Sequence, residues 1–450
     1  MRCFVDCMVR RKGIAFFGIS CVAVLLSGCG TLSGLWGGRS DASSAGTPRS
    51  APLRVVSSPV VAPVRQVQKD AADEMTAPSQ AKPLPPPERA PLPGAGRIAP
   101  PPAAMAGVRV YRDEVLVEDT VWRGEVVVEG SVMVSPQTTL TVEPGAVVRF
   151  RRTSAGVGAG PRLLVQGRFV VRGSAESPAR FTSVFPEPRA GDWEGIVLLG
   201  SQKKNELDHA RIEGATIGVD AVYSTVYLRD VDFHNCGTGG RFQDGVVSVG
   251  GGEALGGDVG MEFTDSEADV RDASVARNRV GLMVRDSSLN LEGTTVADNA
   301  TVGLSVDGGR IRLERNLFVG NGTGLVLEGC EGEVARGRIA GNREAGIVLT
   351  RSRVKVVANE IAENAAVGLR VDDGRGAAWG NVFVNNGRYD LYNSGSEAFR
   401  AMANWWGESS PESVEKKVSG AVDKTGRGGV LLTPALRAKP LLPALNYIAK

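Results

Sequence analysis

Six acidic residues in this 450-residue chain are spaced as a metal-binding edge would be. Asp265, Asp286, Asp307 and Glu328 recur every 21 residues, and Asp372-Asp373 follow two periods later. If each period returns the chain beside itself, equivalent carboxylates stand about 4.8 Å apart. They then repel unless a cation or an Arg intervenes. Oxygen ligands of this kind suit Ca²⁺, the one cofactor the sequence indicates as possible. The same aspartates can instead cap turns through their own backbone, as in Asp286-Ser287 and Asp307-Gly308. There are 2 histidines, His209 and His234, too few for a histidine-rich metal cluster. His234 precedes Asn235-Cys236, and a His–Cys pair takes copper or zinc only with further ligands, which the local sequence does not supply.

The elements that would position these residues are strands. The chain has 58 Gly but only 13 Phe, 6 Tyr and 6 Trp. That balance, with abundant Val, favours short strands and tight turns over helical packing. Glycines fall every 21 or 22 residues at Gly218, Gly239, Gly260, Gly281, Gly303, Gly324, Gly346 and Gly368. Asparagines keep the same beat at Asn278, Asn299, Asn321, Asn342, Asn364 and Asn386. An apolar residue stands three before each: Val275, Val296, Phe318, Ile339, Ile361 and Phe383. A second polar column, five residues before the first, runs Asp230, Thr294, Asn316, Asn359 and Asn381.

This period, with three short strands per repeat and no leucine consensus, predicts an all-β single-stranded parallel β-helix. Each strand then pairs with its equivalent one coil on, and identical residues stack into ladders. Asn278, Asn299, Asn321, Asn342, Asn364 and Asn386 are expected to form a structural ladder of amides bonding from coil to coil. The glycine column is expected to supply positive φ where the chain turns. Cys236 falls in the asparagine turn of an early coil and Cys330 at another corner about four coils on. That separation, roughly 20 Å, exceeds the ~7 Å a disulfide allows, so both are expected to be free and buried. Trp379 follows Arg229, Arg271, Glu292 and Glu314 in one column, which makes that face charged rather than aromatic. Trp379, Tyr389 and Tyr392 are the candidate sugar-stacking side chains.

The N-terminus reads as an address. Arg10, Arg11 and Lys12 precede the apolar stretch Ile14 to Leu26, too short to span a bilayer and flanked like an export signal. Residues 1–28 are thus the expected signal peptide. Removing them takes away Arg2, Arg10, Arg11, Lys12 and Asp6 and leaves a net charge of −1, against +2 for the whole chain. Neither value steers the protein onto nucleic acid. Residues 29–106 read as a linker, because 30–106 holds 14 of the 24 prolines and lacks periodic apolar residues. The predicted β-helix covers 107–436, with irregular first coils over 107–200, regular coils over about 201–395 and a cap over 396–436. Residues 437–450 form a tail.

Several segments resemble known families. Leu26-Ser27-Gly28-Cys29 resembles the lipobox of bacterial lipoproteins, which implies lipidation of Cys29 and a membrane partner through that anchor. Gly30 in place of the Asp retention signal of enteric bacteria implies the outer membrane, with either face open. Trp122-Arg123-Gly124 with the following valines and Pro144-Gly145, Gly191-Asp192-Trp193-Glu194-Gly195-Ile196, and Asn404-Trp405-Trp406-Gly407 are similar to elements of the right-handed, pectin-lyase-like β-helix superfamily, in its bacterial secreted branch. The last motif also resembles the ends of periplasmic β-helix proteins that assist copper-site assembly in nitrous oxide reductase. The closing Trp pair is expected to cover the last coil.

Such a fold hosts many chemistries. Lyases of the superfamily set a Lys or Arg base beside Ca²⁺-binding acids, and hydrolases use close Asp pairs with an Arg-x-Lys and a Gly-His-Gly, the latter missing from this chain. The Asp-Pro-His-Asp motif of alginate epimerases is missing too. His209, in Leu207-Asp208-His209-Ala210, is expected to pack inside a strand as its equivalents do. The leading expectation is therefore a non-catalytic envelope lipoprotein that binds polysaccharide or scaffolds envelope proteins. The alternatives are a Ca²⁺-dependent lyase or epimerase acting on uronate polymers and a periplasmic metal-assembly accessory.

Overall fold

The computed structural model describes residues 107–152, 160–201, 203–407, 410–419 and 428–445. Cys29, the signal peptide and the linker of 29–106 lie outside these residues. So does the end of the 437–450 tail, from residue 446 on.

The fold is an all-β parallel β-helix. One regular coil consists of Val280–Arg285 on the first face, Ser288–Glu292 on the second and Thr295–Ala297 on the third. Each pairs in parallel with its equivalent in the next coil: Leu282 with Leu304, Leu289 with Ile311, and Val296 with Phe318. The first face is a sheet of 14 strands. The other two faces merge into one sheet, because Asn205–Glu213 and Thr225–His234 run unbroken round the corner between them.

Alternation along each short strand sends every second side chain inward. Val275, Val296, Phe318, Ile339, Ile361 and Phe383 stack as one column of the core, each nearly or fully buried. Burying each such side chain stabilises the fold by about 1.5–3 kcal/mol. Because the column repeats at every coil, each residue is packed above and below by its own equivalents.

Three corners separate the faces, and each is built the same way. One residue takes a left-handed conformation and the next points inward, with a polar side chain at many corners and an apolar one at others, such as Ala210, Val231 and Ala273. Between the first and second faces the left-handed residues include Asp244, Asp265, Asp286, Arg351 and Asp373, at φ of 47 to 56°. Between the second and third they include His209, Asp230, Asp272 and Arg315. The polar inward residues form hydrogen-bonded ladders. Asn278, Asn299, Asn321 and Asn342 each donate a backbone N–H to the side-chain oxygen of the next asparagine at 3.0–3.2 Å. A second ladder runs through Asn359, Asn381 and Asn404, and a third contains Ser266, Ser287, Cys330 and Ser352.

Two local expectations need correction. The glycine column is not a column of positive φ: none of Gly281, Gly303, Gly324, Gly346 or Gly368 adopts it. These glycines are set by space. A Cβ on Gly303 would lie 2.6 Å from the Gly324 carbonyl oxygen and 3.0 Å from Asn321 Nδ2, so the asparagine ladder and the next coil occupy the volume a side chain would need. Asp230 also does not belong with Thr294 and Asn316. It is the left-handed residue of its corner, and Val231 occupies the inward position after it.

Coils before residue 213 have unequal lengths. Val126 pairs with Val148, Val148 with Phe181 and Phe181 with Ile212. Trp193, from the Gly-Asp-Trp element, is buried here and stacks on Phe150 at 3.8 Å, with its indole N–H donating to Glu213 O. At the other end Trp406 stacks on Phe383 at 4.6 Å, and Trp405 bridges Val382 in parallel. The closing pair therefore extends the core by one ring and the sheet by one rung. Among the described residues the one helix is Pro411–Lys417. Cys236 and Cys330 are free and buried.

Candidate functional site

The second face carries the longest run of outward charge. Its register puts Arg310, Glu331 and Arg353 in one column, and Arg312, Glu333 and Lys355 in the next. Arg375 continues the first column, its N–H donating to Ser352 O just as that of Arg353 donates to Cys330 O. Arg400 continues the second, opposite Ala377. Glu314, Ala335, Val357 and Trp379 form the third. All of these residues but Val357 line an open groove of about 990 Å³, and Trp379 is 40% exposed in it.

Part of this charge is neutralised within the face. Arg353 pairs with Glu331 at 3.4 Å, Arg375 with Glu397 at 3.5 Å, and Arg312 with Glu314 at 3.0 Å. The Glu314 carboxyl is held below the usual carboxylate range, mainly by the hydrogen bond from Arg312 and further by one from Arg336. Among the described residues no carboxylate lies within 4.0 Å of Arg310, Lys355 or Arg400. Three cations and an exposed indole thus face solvent on one flat sheet, an arrangement that can hold an extended anion by charge and a ring by stacking.

The six candidate metal acids are not brought together. Asp307 and Glu328 are paired strand residues, and Asp372 belongs to the same outward column. Asp265, Asp286 and Asp373 stand one position later, at the left-handed corner. Aspartate is one of the few residues that tolerate this conformation, so the corner alone accounts for their type. Glu328 is paired with Arg351, and Asp372 with Arg370 at 2.9 Å. Among the described residues no three of the six place carboxylate oxygens within 4.8 Å of one another.

His234 and Cys236 point apart. The Cys236 thiol is buried and donates to Ile212 O at 3.5 Å, and burial pushes its pKa up to about 12. His234 faces outward, with Nε2 2.7 Å from Glu253 Oε1. Asp232 lies beside them, and its carboxyl is pushed above the usual range by burial and then by the charge of Glu253. His209 lies inside the strand Asn205–Glu213, as expected, but at its left-handed corner, so its side chain is 34% exposed rather than packed, with Nδ1 3.7 Å from Asp230 Oδ2. Tyr389 and Tyr392 stack on each other at 5.3 Å on the first face, away from Trp379.

Acids and histidines are the residues that attract attention in the sequence, and the cations of the second face are not among them. Their signal is nonetheless present: Arg310-x-Arg312 and Arg353-x-Lys355 share one position of the repeat, two coils apart.

Residues 259–404 match the family model of the right handed beta helix region, and 114–224 match the pectate-lyase like beta helix domain. With the parallel register above, this makes the chain a right-handed parallel β-helix repeat protein of pectate-lyase-like fold. Among solved structures it is similar to the periplasmic alginate epimerase AlgG, at 12% identity over 74% of this chain and 77% of that one, with a TM-score of 0.35. It is similar too to the A-module of Azotobacter vinelandii mannuronan C-5 epimerase AlgE4, at 13% identity over 62% and 84%, with a TM-score of 0.35. A third likeness is tailspike protein 3 of bacteriophage CBA120, at 11% identity over 73% and 57%, with a TM-score of 0.26. No curated protein matches the chain in sequence.

Proposed function

We propose that this chain is a polysaccharide-binding β-helix of the cell envelope and that its second face takes an acidic polymer. The observation that carries this reading is the set of cations Arg310, Lys355 and Arg400, with no carboxylate partner among the described residues, around exposed Trp379 in one groove. Arg310 and Arg353, like Arg312 and Lys355, are two coils apart along the axis, roughly 10 Å. A disaccharide unit of an extended polymer has a comparable length, so carboxylates one disaccharide apart, every second one in a polyuronate, can meet cations two coils apart. The acids between them keep the face from being a general polyanion trap, and the indole offers an apolar plane to a sugar ring. The lipobox at Cys29 and the proline-rich stretch after it complete the proposal. They would fix the β-helix to a membrane, by our reading the outer one, and hold it away from the surface.

Retention of the chain on immobilised polygalacturonate, alginate and a neutral glucan tests the proposal. Binding to an acidic polymer that weakens as salt rises, with no retention on the neutral one, is the expected result. Equal retention on all three, or none on any, would remove the second face from consideration.

A further inference from the structure

A second cluster lies outside the cationic groove, on the third face. Asp232 and His234 are two residues apart on the outward side of Thr225–His234, and Phe233 between them pairs with Ala254 one coil on. That register brings Glu253 alongside Asp232. One oxygen of each carboxylate and one imidazole nitrogen all fall within 4.8 Å of one another, the one grouping of its kind among the described residues. The three residues are half-buried. Arg211 approaches Asp232 Oδ2 at 3.4 Å, which leaves Oδ1 of that carboxylate to another partner. A groove of about 490 Å³ opens at Asp232 and Glu253 and is bordered also by His209, Asp230 and Asp272.

We infer that Asp232, His234 and Glu253 form a binding site for a divalent first-row transition metal, represented here by Zn²⁺. One imidazole and two carboxylates are a nitrogen–oxygen donor set suited to such ions rather than to Ca²⁺, which takes oxygen alone. Bonds of about 2.0–2.2 Å require the donors to draw inward from two paired strands, Asp232 and His234 on one and Glu253 on the next. Two carboxylates facing one guanidinium leave a net negative charge that a divalent cation reverses. Three protein ligands leave coordination positions open, and the groove gives water or an anionic ligand access to them. Cys236 takes no part, because its thiol faces the core. This inference stands apart from the polysaccharide reading and shares no residue with it.

The test is calorimetric titration of the full chain with Zn²⁺ alone, for wild type and for His234→Gln and Glu253→Gln, each checked by circular dichroism. Wild type is expected to bind one equivalent more than either variant, or to bind its shared equivalent at least ~10-fold tighter. Zn²⁺ should raise the unfolding temperature of wild type more than that of the variants. Identical stoichiometry and affinity in all three would overturn the assignment. If either variant fails to fold, Asp232→Asn, which preserves side-chain shape, is read by the same titration and must lose the same equivalent.

Discussion

Asn321 Oδ1 accepts two hydrogen bonds from Asn299, one from its backbone N–H at 3.0 Å and one from its side-chain Nδ2 at 2.9 Å. Asn321 in turn donates its own amide to Val296 O at 3.0 Å and to Asn342 Oδ1 at 3.2 Å. A single side chain thus satisfies buried groups in two neighbouring coils, and the ladder couples the coils in a way that apolar stacking alone does not.

Removing one rung should therefore cost more than one hydrogen bond. Asn321→Ala leaves both Asn299 donors and the Val296 carbonyl without their partner, and each buried unsatisfied group costs about 1–3 kcal/mol. A loss of roughly 3–5 kcal/mol in chemical denaturation is expected. A loss below about 1 kcal/mol would mean that water replaces the rung.

Gly303 has ordinary φ but no space, whereas Gly341 has φ of 63° and nothing within 4 Å of the point where a Cβ would stand. Asn tolerates the left-handed region, so Gly341→Asn should change stability by less than about 1 kcal/mol. Gly303→Ala should cost about 1–3 kcal/mol by overpacking, and Gly303→Asn more still. Thermal melts of the three variants decide between space and φ.

Asp390 supplies a pH dependence. It is buried, accepts a hydrogen bond from Asn386 Nδ2 at 2.7 Å, and burial raises its pKa above the usual carboxylate range despite Asn386 and Lys417. The folded chain then holds this proton more tightly than the unfolded chain. The group's contribution to stability is fully present below the unfolded carboxylate pKa and is lost as pH rises through the raised folded value. Asp390→Asn should accordingly melt higher than wild type at pH 7, with the gap shrinking toward pH 4. A gap independent of pH would refute the assignment.

Trp379 is the groove's aromatic. Trp379→Ala should weaken binding of an acidic polymer about 2- to 10-fold while leaving its salt dependence unchanged, since no charge is removed. Titration at two ionic strengths separates these effects. A changed salt slope would show that the indole acts by ordering neighbouring cations rather than by stacking.

The repeat is legible because Gly, Asn and apolar residues return every 21 or 22 positions, and the structure places them in successive coils. The roles of individual columns are less legible. A glycine set by positive φ and one set by a neighbouring carbonyl look alike in sequence, and Gly303 shows which applies only once the next coil is present. Aspartates such as Asp265 and Asp286 share a period with Asp307, yet a shift of one residue sends them to a corner while Asp307 stays on a face. His234 stands out in the sequence, but its neighbours Asp232 and Glu253 do not, because Glu253 reaches the other two through register, across a coil boundary.

The central claim is that the cations of the second face hold an acidic polymer. Its most direct test is titration of the full chain with a uronate oligomer, comparing wild type with the triple variant Arg310→Ser, Lys355→Ser and Arg400→Ser. The expected result is at least a ~30-fold loss of affinity at low salt, about 0.7 kcal/mol for each exposed cation removed, with an unaltered melting temperature and a shallower salt dependence. Unchanged affinity and salt slope in a folded triple variant would contradict the claim and move the binding surface elsewhere on the solenoid.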